Sequence, residues 1–130
     1  MTTVNGHITT DHYKTILSNA RNELIGDEPK SNGGTDLGFS PGELLCSALA
    51  TCTCVTLRMY ADKKKWSLER VNVNVTMGKD ATKNITNIER EIQLFGNLTN
   101  EQRTHLIEIA EQCPIHKTLT NPITIQTVLK

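Results

Sequence analysis

Two periodicities run along the chain, and their order outlines the fold. Val71, Val73, Val75 and Met77 alternate with Asn72, Asn74 and Thr76, the period-two pattern of a half-buried strand. Ile88, Arg90, Ile92 and Leu94 alternate in the same way with Glu89, Glu91 and Gln93. They predict the hairpin partner, with residues 78–87 as the polar connection. Shorter strands are expected at residues 4–8 and 13–17, joined by a turn at Thr10-Asp11, with a third at 22–25. Ile123, Ile125 and Thr127 alternate once more behind Asn121-Pro122 and predict a last strand.

Between the early strands and the first helix, residues 27–40 hold Pro29, Asn32-Gly33-Gly34 and Gly38, the composition of an exposed loop. Ser40 is positioned to cap the helix that follows. Pro41 suits its first turn, and Glu43 completes an S-x-x-E capping box. Residues 44–57 carry no charge, and Leu45, Ala48, Leu49, Cys52, Val55 and Met59 recur at helical spacing on one stripe. This helix is expected to be mostly buried and to end in the solvated run Asp62-Lys63-Lys64-Lys65. Thr99 and Gln102 form a second capping box, ahead of an apolar stripe of Leu106, Ile109, Ala110 and Cys113. Pro114 interrupts that stripe, because the residue before a proline avoids the helical region. A short helical turn resumes over residues 114–119.

Strands, helix, strand pair, helix, strand is not an alternating βαβ series, so the expected class is α+β with a largely antiparallel sheet. A helix uncharged on every face is hard to cover within one small chain. Burial against a second subunit is the natural solution.

At 130 residues the chain suits a single domain, 1–130, with no composition shift or repeat to divide it. Aromatic residues are only 4% of it, and 14 basic side chains balance 14 acidic ones. A nucleic-acid partner is therefore not expected, since it would call for a basic face or a stacking platform. No membrane association is expected either, with no apolar run approaching the roughly 20 residues of a bilayer span. The N-terminus has the features of neither a signal peptide nor a transit segment, which makes the cytosol the expected location.

In a reducing compartment the four cysteines are core fillers, metal ligands or reactive thiols. Cys52 falls on the apolar stripe of the first helix. Cys113 sits just before Pro114, at a helix N-terminus if that proline opens a new turn, where amide dipoles favour a thiolate. Spacing alone leaves them as either a redox pair or two unrelated core thiols. Cys54 lies roughly 200° around the helix from Cys52, so the two cannot share a site. Cys46 also faces elsewhere, and both read as packing residues. Cys113 and His116, three residues apart, could contribute to a zinc site with Cys52, though no C-x-x-C pair supports it. His7, His12 and His105 show no grouping with a carboxylate. Phosphate-loop, nucleophile-elbow and H-E-x-x-H motifs are absent.

The segment Ser40-Pro-Gly-Glu-Leu-Leu-Cys-Ser-Ala-Leu-Ala-Thr-Cys52 resembles the P-x-E-L-L-x-x-A-L-x-x-C motif of the OsmC/Ohr family, and Cys113-Pro-Ile-His-Lys117 resembles its C-P-[VI]-x-[KR] motif. The GG-x-D-x-G element at residues 33–38 and Thr56-Leu-Arg-Met-Tyr-Ala-Asp62 are similar to one branch of that family. The resemblance implies an intertwined homodimer, with two long central helices wrapped by mostly antiparallel sheet. It implies a thiol peroxidase that needs no cofactor and acts on organic hydroperoxides. Cys52 would be the peroxidatic and Cys113 the resolving cysteine, and a lipoyl-type or small dithiol would be the reductant. In other branches an arginine from the loop before the first motif activates the thiol, oriented by a glutamate after the motif's proline. Here Gly42 follows Pro41 and the glutamate is Glu43, either an orienting carboxylate or only the capping-box residue. Residues 27–40 contain no arginine. Lys30, Arg21 and Arg58 are the candidate cations, with His116 and Lys117 beside Cys113. A catalytically weak relative that binds a small apolar ligand at the dimer interface is the alternative.

Overall fold

In the computed structural model, which describes residues 1–130, the two long period-two segments pair as antiparallel strands and the 3.6-period segments form helices. The chain divides into two compact units, Met1–Cys46 and Ser47–Lys130.

In the first unit, β1 (Asn5–His7), β2 (Thr15–Ser18) and β3 (Glu23–Gly26) form a three-stranded antiparallel sheet in sequence order. Ile16 pairs with Ile25 and Leu17 with Leu24. The loop that follows is organised around one carboxylate. Asp27 is buried, and its oxygens accept from the backbone N–H groups of Tyr13 (3.1 Å), Glu28 (2.7 Å) and Leu37 (3.1 Å) and from the Thr35 hydroxyl. The Thr35 hydrogen bond, with the backbone donors behind it, outweighs burial and holds the Asp27 carboxyl well below the usual carboxylate range. The glycines of the G-G-x-D-x-G element are there for space. A Cβ on Gly34 would lie 2.0 Å from the Glu28 carbonyl oxygen, and one on Gly38 would lie 1.9 Å from that of Ile25. Only glycine lets this loop fold back so closely on the end of β3.

The long helix α1 (Pro41–Lys64) begins with the expected capping box. The Ser40 N–H donates to Glu43 Oε1 (2.9 Å) and the Glu43 N–H donates to Ser40 Oγ (3.3 Å).

In the second unit, α1 buries Leu49, Thr53, Leu57 and Ala61, one residue per turn. This corrects the stripe expected from sequence: Leu45, Val55 and Met59 are exposed in the chain, and the buried stripe is the adjacent one. Periodicity gives the spacing of an apolar face, but on a helix apolar all round it does not choose which face the chain itself covers. β4 (Arg70–Asp80) and β5 (Ile85–Phe95) form an eleven-residue hairpin whose half-buried face pairs Val71 with Leu94, Val73 with Ile92, Val75 with Arg90 and Met77 with Ile88. Both strands run further than expected, which reduces the connection to residues 81–84. Helix α2 (Asn100–Ala110) carries the predicted Thr99–Gln102 capping box, and α3 (Pro114–Thr120) starts at the proline. Leu57, Ala61, Leu68, Leu106 and Ala110 form the core, with Val71, Ile92, Leu94 and Ile109 packed around it.

Three expectations fail. Residues 122–130 are exposed and form no strand, because Ile123, Ile125 and Thr127 find no ladder within this chain, and a strand needs hydrogen-bond partners. The sequence also offered no apolar run near membrane-spanning length, yet α1 has 24 residues and a mean hydropathy of 1.4 over its most apolar stretch. By length and composition alone it could cross a bilayer. Leu57 and Ala61 pack against Leu68, Leu106 and Ala110, but only 22% of that apolar stretch is buried, which corrects the mostly buried helix expected from sequence.

Candidate active site

The second unit brings Cys52 and Cys113 together. Cys52 lies one residue before Thr53 of the buried α1 stripe, and Cys113, fully buried, is the residue from which α3 starts. The two sulfurs are neighbours, and their acidities are pushed in opposite directions. For Cys52, burial pushes upward, but it is outweighed by the Cys113 thiol, the Ile115 amide, the Thr56 hydroxyl and the charge of Arg90. The net direction is below an ordinary thiol. For Cys113, burial and the adjacent Cys52 sulfur push upward. The His116 and Ile115 amides pull the other way and lose, with no side-chain capping bond from Cys113. The balance makes Cys52 the more acidic thiol of the two and Cys113 the less acidic.

A positive charge that acts on Cys52 comes from Arg90, which was not among the candidates drawn from the sequence. It occupies an inward-facing position of β5 where the alternation would place an aliphatic side chain, opposite Val75. Its side chain is only 10% exposed. Nη1 donates to Thr53 Oγ1 (3.1 Å), whose own hydroxyl donates to the Leu49 carbonyl (2.7 Å). Nη2 contacts His116 Nδ1 at 3.1 Å and lies 3.8 Å from Glu111 Oε2. Because a guanidinium only donates, His116 Nδ1 must accept, which leaves the imidazole proton on Nε2, 3.1 Å from Glu111 Oε2. Two signals could have found this cluster: an arginine at apolar parity in β5, and a threonine on a buried helix stripe.

Arg58 donates to the Leu68 carbonyl and pairs with Asp62 at 2.7 Å. Lys117 is exposed, and Lys30 and Arg21 belong to the first unit. The Glu43 carboxylate, also in that unit, accepts from Ser40, which holds it below its ordinary value. Cys54 is pushed up by burial, the inert direction, and makes no disulfide. His116 does not fit the zinc alternative, since its two ring nitrogens face Arg90 and Glu111. No group of three or more His, Cys, Asp or Glu residues is arranged to hold a metal ion. His105, expected to stand alone, contacts the Tyr60 hydroxyl at 2.6 Å and Glu108 at 3.4 Å, one turn along α2.

A cavity of about 420 Å³ opens beside this cluster. Leu49, Ile88, Ile92, Ile107 and Leu119 form its apolar lining, with Thr86 and Thr120 at its edge. Arg90, His116 and Glu111 supply its charged and polar side. The arrangement suits a small molecule with an apolar body and a polar end able to accept from a guanidinium.

The OsmC-like protein family model matches residues 33–128. A structure from Psychrobacter arcticus 273-4, named for an osmotic stress induced and detoxification response, is 25% identical. It aligns with a TM-score of 0.76 over 91% of this chain and 88% of its own. An OsmC like protein from Mycoplasma pneumoniae is 20% identical, with a TM-score of 0.77 over 90% of this chain and 85% of its own. The organic hydroperoxide resistance protein OsmC from Legionella pneumophila is also 20% identical, with a TM-score of 0.67 over 92% and 89%. No curated protein sequence matches the chain. These likenesses establish the α+β fold.

Proposed function

Since the chain belongs to the OsmC-like protein family, we propose that it is a cytosolic, two-cysteine peroxidase that reduces organic hydroperoxides in defence against oxidative stress. What supports this reading is the unequal pair: Cys52, drawn below an ordinary thiol, beside Cys113, pushed above one, with the charge of Arg90 acting on Cys52. Cys52 attacks one oxygen of the hydroperoxide and the O–O bond breaks. This leaves a sulfenic acid on Cys52 and an alkoxide that takes a proton and departs as the alcohol. The Cys113 thiol then displaces water from the sulfenic acid to give a Cys52–Cys113 disulfide. A lipoyl-type or small dithiol returns both sulfurs to the reduced state by exchange and is itself oxidised. The aliphatic cavity beside Arg90 favours substrates with an apolar body. The two thiols carry the reaction, with an imidazole, a carboxylate and a permanent cation beside them.

The working form in this reading is a homodimer, supported by the exposed apolar face of α1, where Val55 is 44% and Met59 68% exposed. The alternative, a catalytically weak protein that binds a small apolar ligand, drew its motive from the missing loop arginine; against it stands Arg90, which brings a cation from β5 instead.

One equivalent of cumene hydroperoxide added to the reduced protein is expected to give a Cys52–Cys113 disulfide within seconds, read by mass spectrometry. Cys52→Ser should abolish turnover, and Cys113→Ser should stop at oxidised Cys52. Four free thiols after minutes, or undiminished turnover without Cys52, would overturn the proposal.

A further inference from the structure

We propose that Glu111 and His116 are positioning residues: together they hold the Arg90 guanidinium against Thr53 and so set the reactivity of Cys52. The inference rests on the peroxidase reading for its consequence, but its geometry stands apart from it. Arg90 reaches inward from β5 between Ile88 and Ile92, where its guanidinium needs acceptors to fix it. Two acceptors do so. Thr53 Oγ1 takes Nη1 at 3.1 Å, and His116 Nδ1 takes Nη2 at 3.1 Å. The imidazole can serve only while Nδ1 carries a lone pair. Glu111 Oε2, 3.1 Å from Nε2, holds the proton on the opposite nitrogen. Glu111 therefore fixes the tautomer, His116 presents the acceptor, and Arg90 is kept beside the residue that follows Cys52 in the chain. The same Glu111 oxygen stands 3.8 Å from Arg90, so its charge also favours the guanidinium at this place. The groups facing the His116 ring are thus Arg90 from β5 and Glu111 after α2. Cys113 and Lys117 neighbour it along its own segment.

The test compares His116→Leu, His116→Asn and Glu111→Gln. Iodoacetamide alkylation of Cys52 is followed across pH by site-resolved mass spectrometry, and cumene hydroperoxide reduction is measured in parallel. An asparagine amide oxygen can take the place of Nδ1 as acceptor, and leucine cannot. His116→Leu is expected to move the alkylation midpoint to higher pH and slow Cys52 at neutral pH by roughly 5- to 10-fold, the effect of a shift approaching one pH unit. His116→Asn should restore most of that loss, and Glu111→Gln should show a smaller shift in the same direction. A wild-type midpoint in His116→Leu, or an asparagine variant as slow as the leucine one, overturns the proposal. Should the leucine variant not fold, an unshifted midpoint in Glu111→Gln overturns it. The predicted midpoints in a protein that leaves hydroperoxide untouched would uphold the positioning role and defeat the peroxidase reading instead.

Discussion

Arg90 has a role that its neighbours in β5 do not share. An inward arginine must find acceptors or forfeit the stability of the face it sits on, and Thr53, His116 and Glu111 supply them. Replacing it tests its charge and its shape separately. Arg90→Leu is expected to raise the pH at which Cys52 ionises and to slow hydroperoxide reduction about 10-fold or more. Arg90→Lys should recover only part of this, because an ammonium keeps the charge but cannot span Thr53 and His116 as the planar guanidinium does. The alkylation midpoint of Cys52 and single-turnover rates check both. Cys52 and Cys113 were legible as a pair through their motif contexts. Glu43 was legible as a cap. Arg90 was not, although its parity in the strand was plain, because the search for a cation followed the loop before the first motif. The hairpin brings that charge to α1 from 38 positions further along the chain than Cys52, a pairing that exists only once the strand packs on the helix.

Among the elements, the loop after β3 is where sequence and structure diverge most in character. Its glycines and turn residues predicted an exposed connection, and its outer residues are exposed, but it closes on a buried carboxylate. Asp27 carries a stated pH dependence. Its pKa is depressed in the folded state, so its stabilising contribution is fully present above the unfolded value, near 3.8, and is lost as pH falls below that value toward the folded one. Asp27→Asn is therefore expected to lower the urea midpoint at neutral pH and to flatten the fall in stability between about pH 5 and pH 2. Parallel urea titrations of the two proteins check this. An unchanged acid limb would assign the loss to another carboxylate. The last strand failed for a physical reason of the same scale. Alternation in residues 123–127 gives a segment the capacity to pair, but a ladder also requires an open edge in register, and this chain places none beside it.

For the molecule as a whole, α1 is the decisive element. One face, Leu49, Thr53, Leu57 and Ala61, is buried by its own chain, while Val55 and Met59 on another face are exposed. If that second face joins two copies, Val55→Glu together with Met59→Glu should convert a dimer to monomers in sedimentation velocity and leave the far-UV spectrum helical. A monomeric wild-type protein would remove the dimer from the proposed function.

The sequence by itself determined the local terms: the α+β order, the alternating hairpin, both capping boxes, the proline that opens α3, and two cysteines in specific contexts. These depend on residues a few positions apart, where periodicity and capping chemistry act directly. The tertiary structure alone decided which face of an apolar helix is covered, which strand gains a partner, and which cation reaches Thr53 beside Cys52. Each of these is a contact between segments distant in the chain. Burial and charge acquire their energies there only when packing excludes water and brings the partners within hydrogen-bonding distance.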